Sequence, residues 1–391
     1  MHDDTRVIHL GRDPQAQAGA VNPPVYHAST ILFPTVAELQ EASRRIARDE
    51  QTAVYGRRGT PSTFAFENAV AELEGGYRAL TYPSGLAAVA AALLAVTRSG
   101  DHVLMTDSAY SPSRHVCDAI LRRNGVETTY YDPLVGAGIA ELIRPNTRAV
   151  YLEAPGSLTF EMQDVPAIAA AARARGVRVL MDNTWATPLY FKPFDHGVDI
   201  SIHAATKYIV GHSDAMLGVV VANRDAWPDL RDMTRSLGQC AGPDDVYLAQ
   251  RGLRTMATRL RQHHQAGLEL AAWLRAQPAV ARVLHPGLPE DPGHAIWKRD
   301  FRGASGLFSI VLNPCSPGQL AAMADHLELF GMGYSWGGYE SLFLPSWPQR
   351  DRTAVPWQAE GQLVRIHAGL EAMADLKADL AAGFARLAAA G

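Results

Sequence analysis

The sequence is poor in cysteine, and its three cysteines, Cys117, Cys240 and Cys315, lie far apart along 391 residues. Disulfide-stabilised secreted domains and thiolate zinc sites both need closely or regularly spaced cysteines, and this chain has neither pattern. A reducing cytoplasm is therefore the predicted compartment. Because 47% of the residues are hydrophobic and 19% are charged, we expect a compact chain with one large and one smaller domain.

Three further features that the sequence lacks limit the kinds of partner to be expected. The formal net charge is only -4, which gives no electrostatic reason to expect a nucleic acid or an anionic membrane as partner. The first residues, 1–6, are polar and acidic where a secretory signal would be basic and then apolar. The longest apolar run, 86–96, is too short to cross a bilayer and predicts a buried helix. We expect a small-molecule partner, with no membrane and no nucleic acid.

A metal-ligand pattern is also missing. His196, His203, His212 and Asp214 lie close together in the sequence, but their spacing matches no pair of histidines on one helix face and no His-x-x-x-His motif. We therefore predict no metal.

The chain instead contains an isolated lysine between two β-type runs, in residues 200–218. Lys207 follows Ala-Ala-Thr and has apolar, small or hydroxyl neighbours on both sides, so we expect it to be held inside the protein. Burial of an ammonium group without a partner is unfavourable, and such a lysine loses its proton or binds something. A neutral lysine amine is a nucleophile toward carbonyls, and pyridoxal phosphate is the usual biological carbonyl held in this way.

A second stretch supports that cofactor. Residues 177–181 predict an apolar strand that delivers Asp182 at its carboxyl end, the edge at which open α/β sheets bind ligands. A carboxylate there can pair with the protonated ring nitrogen of pyridoxal phosphate and so make the ring an electron sink. Taken alone, Lys207 is equally well explained as a surface lysine, and Asp182 is equally well explained as a helix cap. Their occurrence together on neighbouring predicted strands favours the cofactor.

The order of elements predicts an α/β fold with a large, mostly parallel, doubly wound sheet. Strands are expected near 79–82, 128–131, 149–153, 177–182 and 216–221, with helices at 36–48, 61–74 and 166–175. A long helix over 244–274 is expected to leave the large domain near residue 253. Strands at 281–285, 307–312, 330–334, 341–344 and 363–367 then predict a small α+β domain. We divide the chain into an N-terminal arm, 1–59, a large domain, 60–253, and a C-terminal domain, 254–391.

Other candidate residues fall at the predicted strand ends. Ser84, Gly85 and Leu86 begin a helix after a strand, and the free N–H groups of a helix N-terminus favour a phosphate. Tyr110 follows another strand, where its ring can stack on a pyridine ring. In the C-terminal domain, strand alternation places Arg365 on the face opposite its two apolar neighbours. The ordinary alternatives are a strand–turn–helix motif that binds nothing at 84–86, a tyrosine packed under a loop for Tyr110 and a solvent-facing side chain for Arg365.

These stretches resemble the Cys/Met-metabolism enzymes that use pyridoxal phosphate with fold type I, and the resemblance covers practically the whole chain. It implies that Gly85 and Leu86 cradle the cofactor phosphate, that Tyr110 stacks on the ring and that Arg365 clamps the substrate carboxylate. It also implies that Tyr55 and Arg57, in Tyr-Gly-Arg-Arg-Gly-Thr, reach into the neighbouring subunit's site. The ordinary alternative for this stretch is a solvated arginine pair in a glycine turn. Relatives are commonly homotetramers built from two such dimers.

One departure from the family concerns the cofactor phosphate. Many relatives carry serine two residues before the lysine, where this chain has Ala205. Thr206 and backbone groups are therefore expected to supply that phosphate contact.

The resemblance also implies a carbon–sulfur lyase that cleaves cystathionine to homocysteine, pyruvate and ammonia. Members that act at Cβ show Ser-Trp-Gly-Gly-Tyr-Glu-Ser where those acting at Cγ tend to show Ser-Leu-Gly-Gly-Val-Glu-Ser. This chain has the first form, beginning at Ser335 and Trp336, two residues expected to position the substrate. Lys207 is expected to move protons, with Tyr110 assisting. Chemistry at Cγ on the same scaffold, racemisation or action on other cysteine conjugates as a side activity, and a non-catalytic phosphometabolite-binding protein remain alternatives.

Overall fold

The computed structural model describes residues 1–391. Seven strands form the larger sheet in the order β1-β7-β6-β5-β4-β2-β3, and all neighbours from β6 to β3 are parallel, while β7 is antiparallel to both of its neighbours. The predicted mostly parallel sheet is confirmed. Its strands are β1 (Arg78–Tyr82), β2 (His102–Thr106), β3 (Glu127–Tyr131), β4 (Thr147–Glu153), β5 (Arg178–Asp182), β6 (Ile200–Ala204) and β7 (Gly218–Ala222).

Helices cover this sheet because its strands are apolar on both faces. Along β4, Val150 and Leu152 join one buried cluster, whereas Ala149 and Tyr151 join the cluster on the opposite face, as the two-residue period of a strand requires. The helices of this part are α1 (Asp3–His9), α2 (Val36–Ala47), α3 (Pro61–Glu74), α4 (Gly85–Val96), α5 (Ser111–His115, continued by a π-helical turn Val116–Leu121), α6 (Val165–Arg173), α7 (Thr187–Tyr190) and α8 (Trp227–Leu237).

A long helix, α9 (Pro243–Arg275), leads to a second sheet of four antiparallel strands in the order β10-β11-β9-β8. Apolar side chains from α9 and from the last helices cover one face of this sheet and form a separate core. The elements are β8 (Val280–Leu284), α10 (His294–Asp300), β9 (Leu307–Leu312), α11 (Pro317–Ala324), β10 (Leu342–Ser346), β11 (Leu363–His367) and α12 (Met373–Ala389). No helix combines the length and the apolar character needed to cross a membrane.

The predicted strand at 330–334 is wrong. The structure has only an isolated bridge between Gly331 and Leu342 there, and the chain then passes through left-handed backbone at Ser335 (φ 82°) and Gly337 (φ 85°). Two glycines, at 331 and 333, and the exposed side chains of Met332 and Tyr334 leave no apolar face to pack, so a ladder is not stabilised.

Candidate active site

Lys207 lies just beyond the carboxyl end of β6, in the turn that leads back into β7. Because β6 and β7 are paired with Ala204 opposite Gly218, the intervening chain must fold over this edge of the sheet. The Lys207 Nζ atom donates a hydrogen bond to Ser335 Oγ at 2.6 Å. Burial, together with the positive charge of Arg365, lowers the pKa of Lys207 to about 8, against the opposing charge of Asp182. The amine is therefore easy to deprotonate, as its sequence surroundings predicted.

The segment 335–340 covers Lys207 from the C-terminal part of the chain. Gly337 lies so close that a Cβ atom added to it would stand 2.9 Å from the backbone nitrogen of Tyr208 and 3.0 Å from the carbonyl carbon of Lys207. Its positive φ and this close approach both require glycine. The Trp336 ring lies with its centroid 5.4 Å from Lys207 Nζ and packs against the Tyr208 ring.

Arg365 joins the same group from the middle of β11. Its Nη2 donates to the backbone oxygen of Ser335 at 2.8 Å, and burial lowers its pKa to about 10. The residue stays charged at neutral pH. Ser335 thus contacts Lys207 through its hydroxyl and Arg365 through its carbonyl, and the three predicted residues lie together.

Asp182 ends β5, on the strand next to β6. Its Oδ1 accepts hydrogen bonds from the backbone nitrogen of Thr184 at 2.9 Å and from Thr184 Oγ1 at 2.5 Å, and no donor of the chain binds Oδ2. Burial raises the pKa of Asp182, although the hydrogen bonds from Thr184 and the charges of His203 and Lys207 oppose the shift. Oδ2 is thereby left free for a cationic N–H group.

Tyr110 is held at the same edge by Glu153, which is not among the residues predicted for the site. Its backbone nitrogen donates to Glu153 Oε2 at 2.7 Å, and its side chain remains 47% exposed, so the ring is free to stack on a ligand. Glu153 ends β4 beside Asp182 on β5, and burial together with the Asp182 charge raises its pKa well above the ordinary value. The rule that drew attention to Asp182, a carboxylate at a strand end, applies equally to Glu153.

The N-terminus of α4 packs on the strands that flank Lys207. A Cβ added to Gly85 would stand 2.5 Å from the Ala204 Cβ, so only glycine allows the helix to come this close. Ser84 caps the helix by accepting from the backbone nitrogen of Ala87, while the N–H groups of Gly85 and Leu86, in its first turn, have no acceptor within the helix. These two groups can bind an anion.

The Thr206 hydroxyl makes hydrogen bonds within the chain. It accepts from the backbone nitrogen of Leu217 at 2.9 Å and donates to the Leu217 oxygen at 3.2 Å. In the structure the hydroxyl therefore ties the Lys207 turn to the chain before β7. A phosphate contact by Thr206 stays a prediction.

Tyr55 and Arg57 lie apart from this group within the chain. Arg57 Nη1 donates to the backbone oxygen of Arg235 at 3.3 Å, Tyr55 is 45% exposed and its backbone bridges to Thr30. Neither makes a hydrogen bond or an ion pair with the residues around Lys207. Their role in a neighbouring subunit's site stays a prediction.

Two buried acidic residues outside the site hold neighbouring segments in place through hydrogen bonds. Neither is among the residues predicted for the site. Asp107, after β2, accepts from the backbone nitrogens of Thr353 (3.0 Å), Ala354 (3.0 Å) and Val355 (2.8 Å) and from Arg114 Nη1 (2.9 Å). It thereby holds the β10–β11 connection onto the large sheet. The contacts with Thr353, Ala354 and Val355 join residues about 250 positions apart, beyond the reach of any local pattern.

The second buried acid, Glu74, lies under the sheet. Its Oε2 is 2.9 Å from His203 Nε2, and its Oε1 accepts from Ser201 Oγ and from Asn183 Nδ2. His203, considered above as a metal ligand, is therefore a partner of Glu74.

The groups at this edge fit pyridoxal phosphate. An amine with a lowered pKa can bind the aldehyde, the free Oδ2 of Asp182 can accept from the ring nitrogen, and the first turn of α4 can take the phosphate. The residues at this edge thus match the aldehyde, the ring nitrogen and the phosphate of the cofactor.

Comparisons with known proteins support the same cofactor. The sequence profile described as Cys/Met metabolism PLP-dependent enzyme matches residues 4–385. The cystathionine beta-lyase of Salmonella typhimurium is 48% identical over 390 residues, and that of Escherichia coli is 48% identical over 391, each alignment covering 98% of both chains. The crystal structure of cystathionine gamma-lyase from Lactobacillus plantarum complexed with L-serine superposes with a TM-score of 0.89 at 31% identity, covering 99% of this chain and 100% of that one. The chain therefore belongs to the Cys/Met metabolism family of PLP-dependent enzymes.

Proposed function

We propose that this chain is a pyridoxal-phosphate-dependent carbon–sulfur β-lyase that converts cystathionine and water to homocysteine, pyruvate and ammonia. The observation that carries the proposal is the contact between Lys207 Nζ and Ser335 Oγ, because it joins the proton-transfer group to the Ser-Trp-Gly-Gly-Tyr-Glu-Ser segment. Relatives named cystathionine beta-lyase at 48% identity support the same choice.

The bound cofactor would supply an electron sink for the electron pair left when a substrate Cα loses its proton. Lys207 takes that proton at Nζ and delivers a proton to the sulfur that leaves Cβ, because its pKa of about 8 allows both states near neutral pH. Asp182 would keep the ring nitrogen protonated through Oδ2. Tyr110 would stack on the ring and assist the proton transfer.

Binding of the substrate relies on the C-terminal part of the chain. Arg365, held by the Ser335 carbonyl, pairs with the α-carboxylate in a bidentate manner. Ser335 and Trp336 orient the amino acid above Lys207. Gly85 and Leu86 would donate backbone N–H groups to the cofactor phosphate, and Thr206 would support that contact.

The proposal includes a shared site between subunits. Tyr55 and Arg57 bind the cofactor phosphate, and Tyr55 the substrate, in the neighbouring subunit, which requires at least a dimer, and a cytoplasmic homotetramer is the proposed assembly. This part is supported by the separation of both residues from Lys207 within one chain and by the exposed apolar side chains of the arm, among them Tyr26 and Leu32. The arm, 1–59, the large domain, 60–253, and the C-terminal domain, 254–391, are proposed as the working units.

The product of the reaction tests the proposal. Purified holoenzyme incubated with cystathionine should release pyruvate and homocysteine in equal amounts. Cleavage at Cγ, the activity named for the structural neighbour, would give 2-oxobutyrate and cysteine, and these as main products would contradict the proposal. The matched control is Lys207→Ala, which should form neither product, and a colourless protein whose spectrum is the same in that variant would favour a non-catalytic binding protein.

A further inference from the structure

The backbone of the segment 335–340 has an unusual anchor in a histidine that no step above uses. His367 ends β11, two residues beyond Arg365, and its side chain is 1% exposed. The backbone nitrogen of Gly337 donates to His367 Nε2 at 3.1 Å, and the Nδ1 atom lies 3.0 Å from the backbone oxygen of Glu340. Both ring nitrogens therefore bind the backbone of one segment.

These partners define the state of the ring. Because a backbone N–H can only donate and a carbonyl can only accept, Nε2 must carry a lone pair and Nδ1 must carry the proton. Burial and the neighbouring His263 keep the pKa of His367 well below its ordinary value. The neutral Nδ1–H form is thus the only one that satisfies both bonds.

The anchored segment is the one that contacts the reacting groups. Ser335 has left-handed backbone (φ 82°), a conformation that a non-glycine residue keeps only when its surroundings enforce it. Ser335 Oγ touches Lys207 Nζ, and Ser335 O holds Arg365. The other end of the segment is fixed separately, since Glu340 accepts from Ser213 Oγ. Apart from the bonds that Ser335 itself makes, the bond from Gly337 to His367 is therefore the side-chain hydrogen bond to this segment's backbone that is nearest in sequence to Ser335.

We propose that His367 is a positioning residue that, through its Nε2 bond to Gly337, holds Ser335 against Lys207 and Arg365. The inference rests on the proposed lyase function for its kinetic readout, but its structural readout needs no substrate and no cofactor.

Two substitutions separate the two ring bonds. In His367→Gln the side-chain oxygen can stand near the Nε2 position and accept from Gly337, whereas in His367→Asn the amide nitrogen can stand near Nδ1 and donate to Glu340 only. We expect the Asn variant to lose about tenfold or more in kcat/KM, mainly through KM, since Arg365 loses its fixed partner. The Gln variant should stay within about threefold of the unmodified enzyme.

A matched control is His102, which begins β2 at the end of the large sheet away from Lys207. His102 is also buried and binds with both ring nitrogens, to Thr147 Oγ1 and Thr129 Oγ1, each at 2.8 Å. His102→Asn and His102→Gln should reduce thermal stability by an amount similar to the changes at His367, with kcat/KM changed less than about twofold. A loss of activity that merely follows stability would appear in both pairs of variants.

The second readout is the titration of Lys207 in cofactor-free protein, followed by NMR of ¹³C-methylated lysine. His367→Asn should release the segment, hydrate Lys207 and move the midpoint of the Lys207 titration upward from about 8, while His367→Gln should leave it unchanged. If His367→Asn does not fold, ¹⁵N-histidine NMR of the unmodified protein, with His367→Gln for assignment, must still show a protonated Nδ1 and a bare Nε2. Equal kinetics and equal titration in the Asn and Gln variants, or the opposite tautomer, would overturn the inference. A failure to cleave cystathionine in every variant would instead contradict the proposed function.

Discussion

The lowered pKa of Lys207 gives a prediction that needs neither cofactor nor substrate. Burial and the charge of Arg365 lower the pKa from 10.5 to about 8. At pH 7 an amine with the ordinary value is neutral in roughly 0.03% of molecules, whereas one with a pKa of 8 is neutral in about 9%. The protein therefore enriches the nucleophilic form by about 300-fold.

Two charges near Lys207 should move this pKa in opposite directions. Arg365→Gln removes a positive charge that disfavours the ammonium form, so the pKa of Lys207 should rise. Asp182→Asn removes a negative charge that favours it, so the pKa should fall. At an effective dielectric constant near 20 a unit charge about 8 Å away contributes roughly 2 kcal/mol, or about 1.5 pH units.

The composition of the chain makes the measurement practical. There are only four lysines, Lys192, Lys207, Lys298 and Lys377, so reductive ¹³C-methylation of the cofactor-free protein gives few resonances, and Lys207→Arg assigns the one of interest. Lys298 is exposed and serves as the internal reference. A Lys207 resonance that titrates together with that of Lys298, or that shifts in the same direction in the Arg365 and Asp182 variants, would refute the reasoning.

Three other predictions concern the stability of the fold, the cofactor cradle and the assembly. Asp107→Asn should cost about 3 kcal/mol at neutral pH. Although burial raises the pKa of Asp107, hydrogen bonds from the backbone and from Arg114 outweigh it and lower the pKa below 3.8. The difference in unfolding free energy from the unmodified protein should thus persist down to about pH 4 and shrink below it; a constant difference would contradict the role of the charge. Gly85→Val should weaken cofactor binding by at least about tenfold, measured by fluorescence titration, because its side chain would strike Ala204; unchanged affinity would show that α4 is not the cradle. An equal mixture of dissociated and reassociated Arg57→Ala and Lys207→Ala subunits should recover about a quarter of full activity, since half of random dimers carry one intact site; no recovery would exclude a shared site.

Much of the fold follows from local sequence patterns. The apolar run before Asp182 and the run before Lys207 each predict a strand that ends at the site, and the structure has both strands, with Asp182 and Ile202 paired. The helix predicted over 244–274 is Pro243–Arg275. Period-2 and period-3.6 patterns suffice for such elements because each is amphipathic or fully buried over its whole length.

The parts that could not be predicted depend on contacts between distant residues. The clamp of Asp107 on Thr353 and Val355 has no local signal, because these partners lie about 250 positions further along the chain. The strand predicted at 330–334 is absent because the exposed side chains of Met332 and Tyr334 give it no buried face. The contacts of Gly337 with Lys207 and His367 fix the path of the following segment, 335–340, and such contacts between distant residues leave no local signal.

The most direct test of the account is the place at which the cofactor is attached. Borohydride converts a carbon–nitrogen double bond between an amine and a bound aldehyde into a stable link, which peptide mass spectrometry of the digested holoenzyme then locates. We predict the pyridoxyl group on Lys207 alone, with Lys192, Lys298 and Lys377 unmodified. Attachment to any of those three, or no covalent attachment at all, would contradict the claim that Lys207 is the centre of the site.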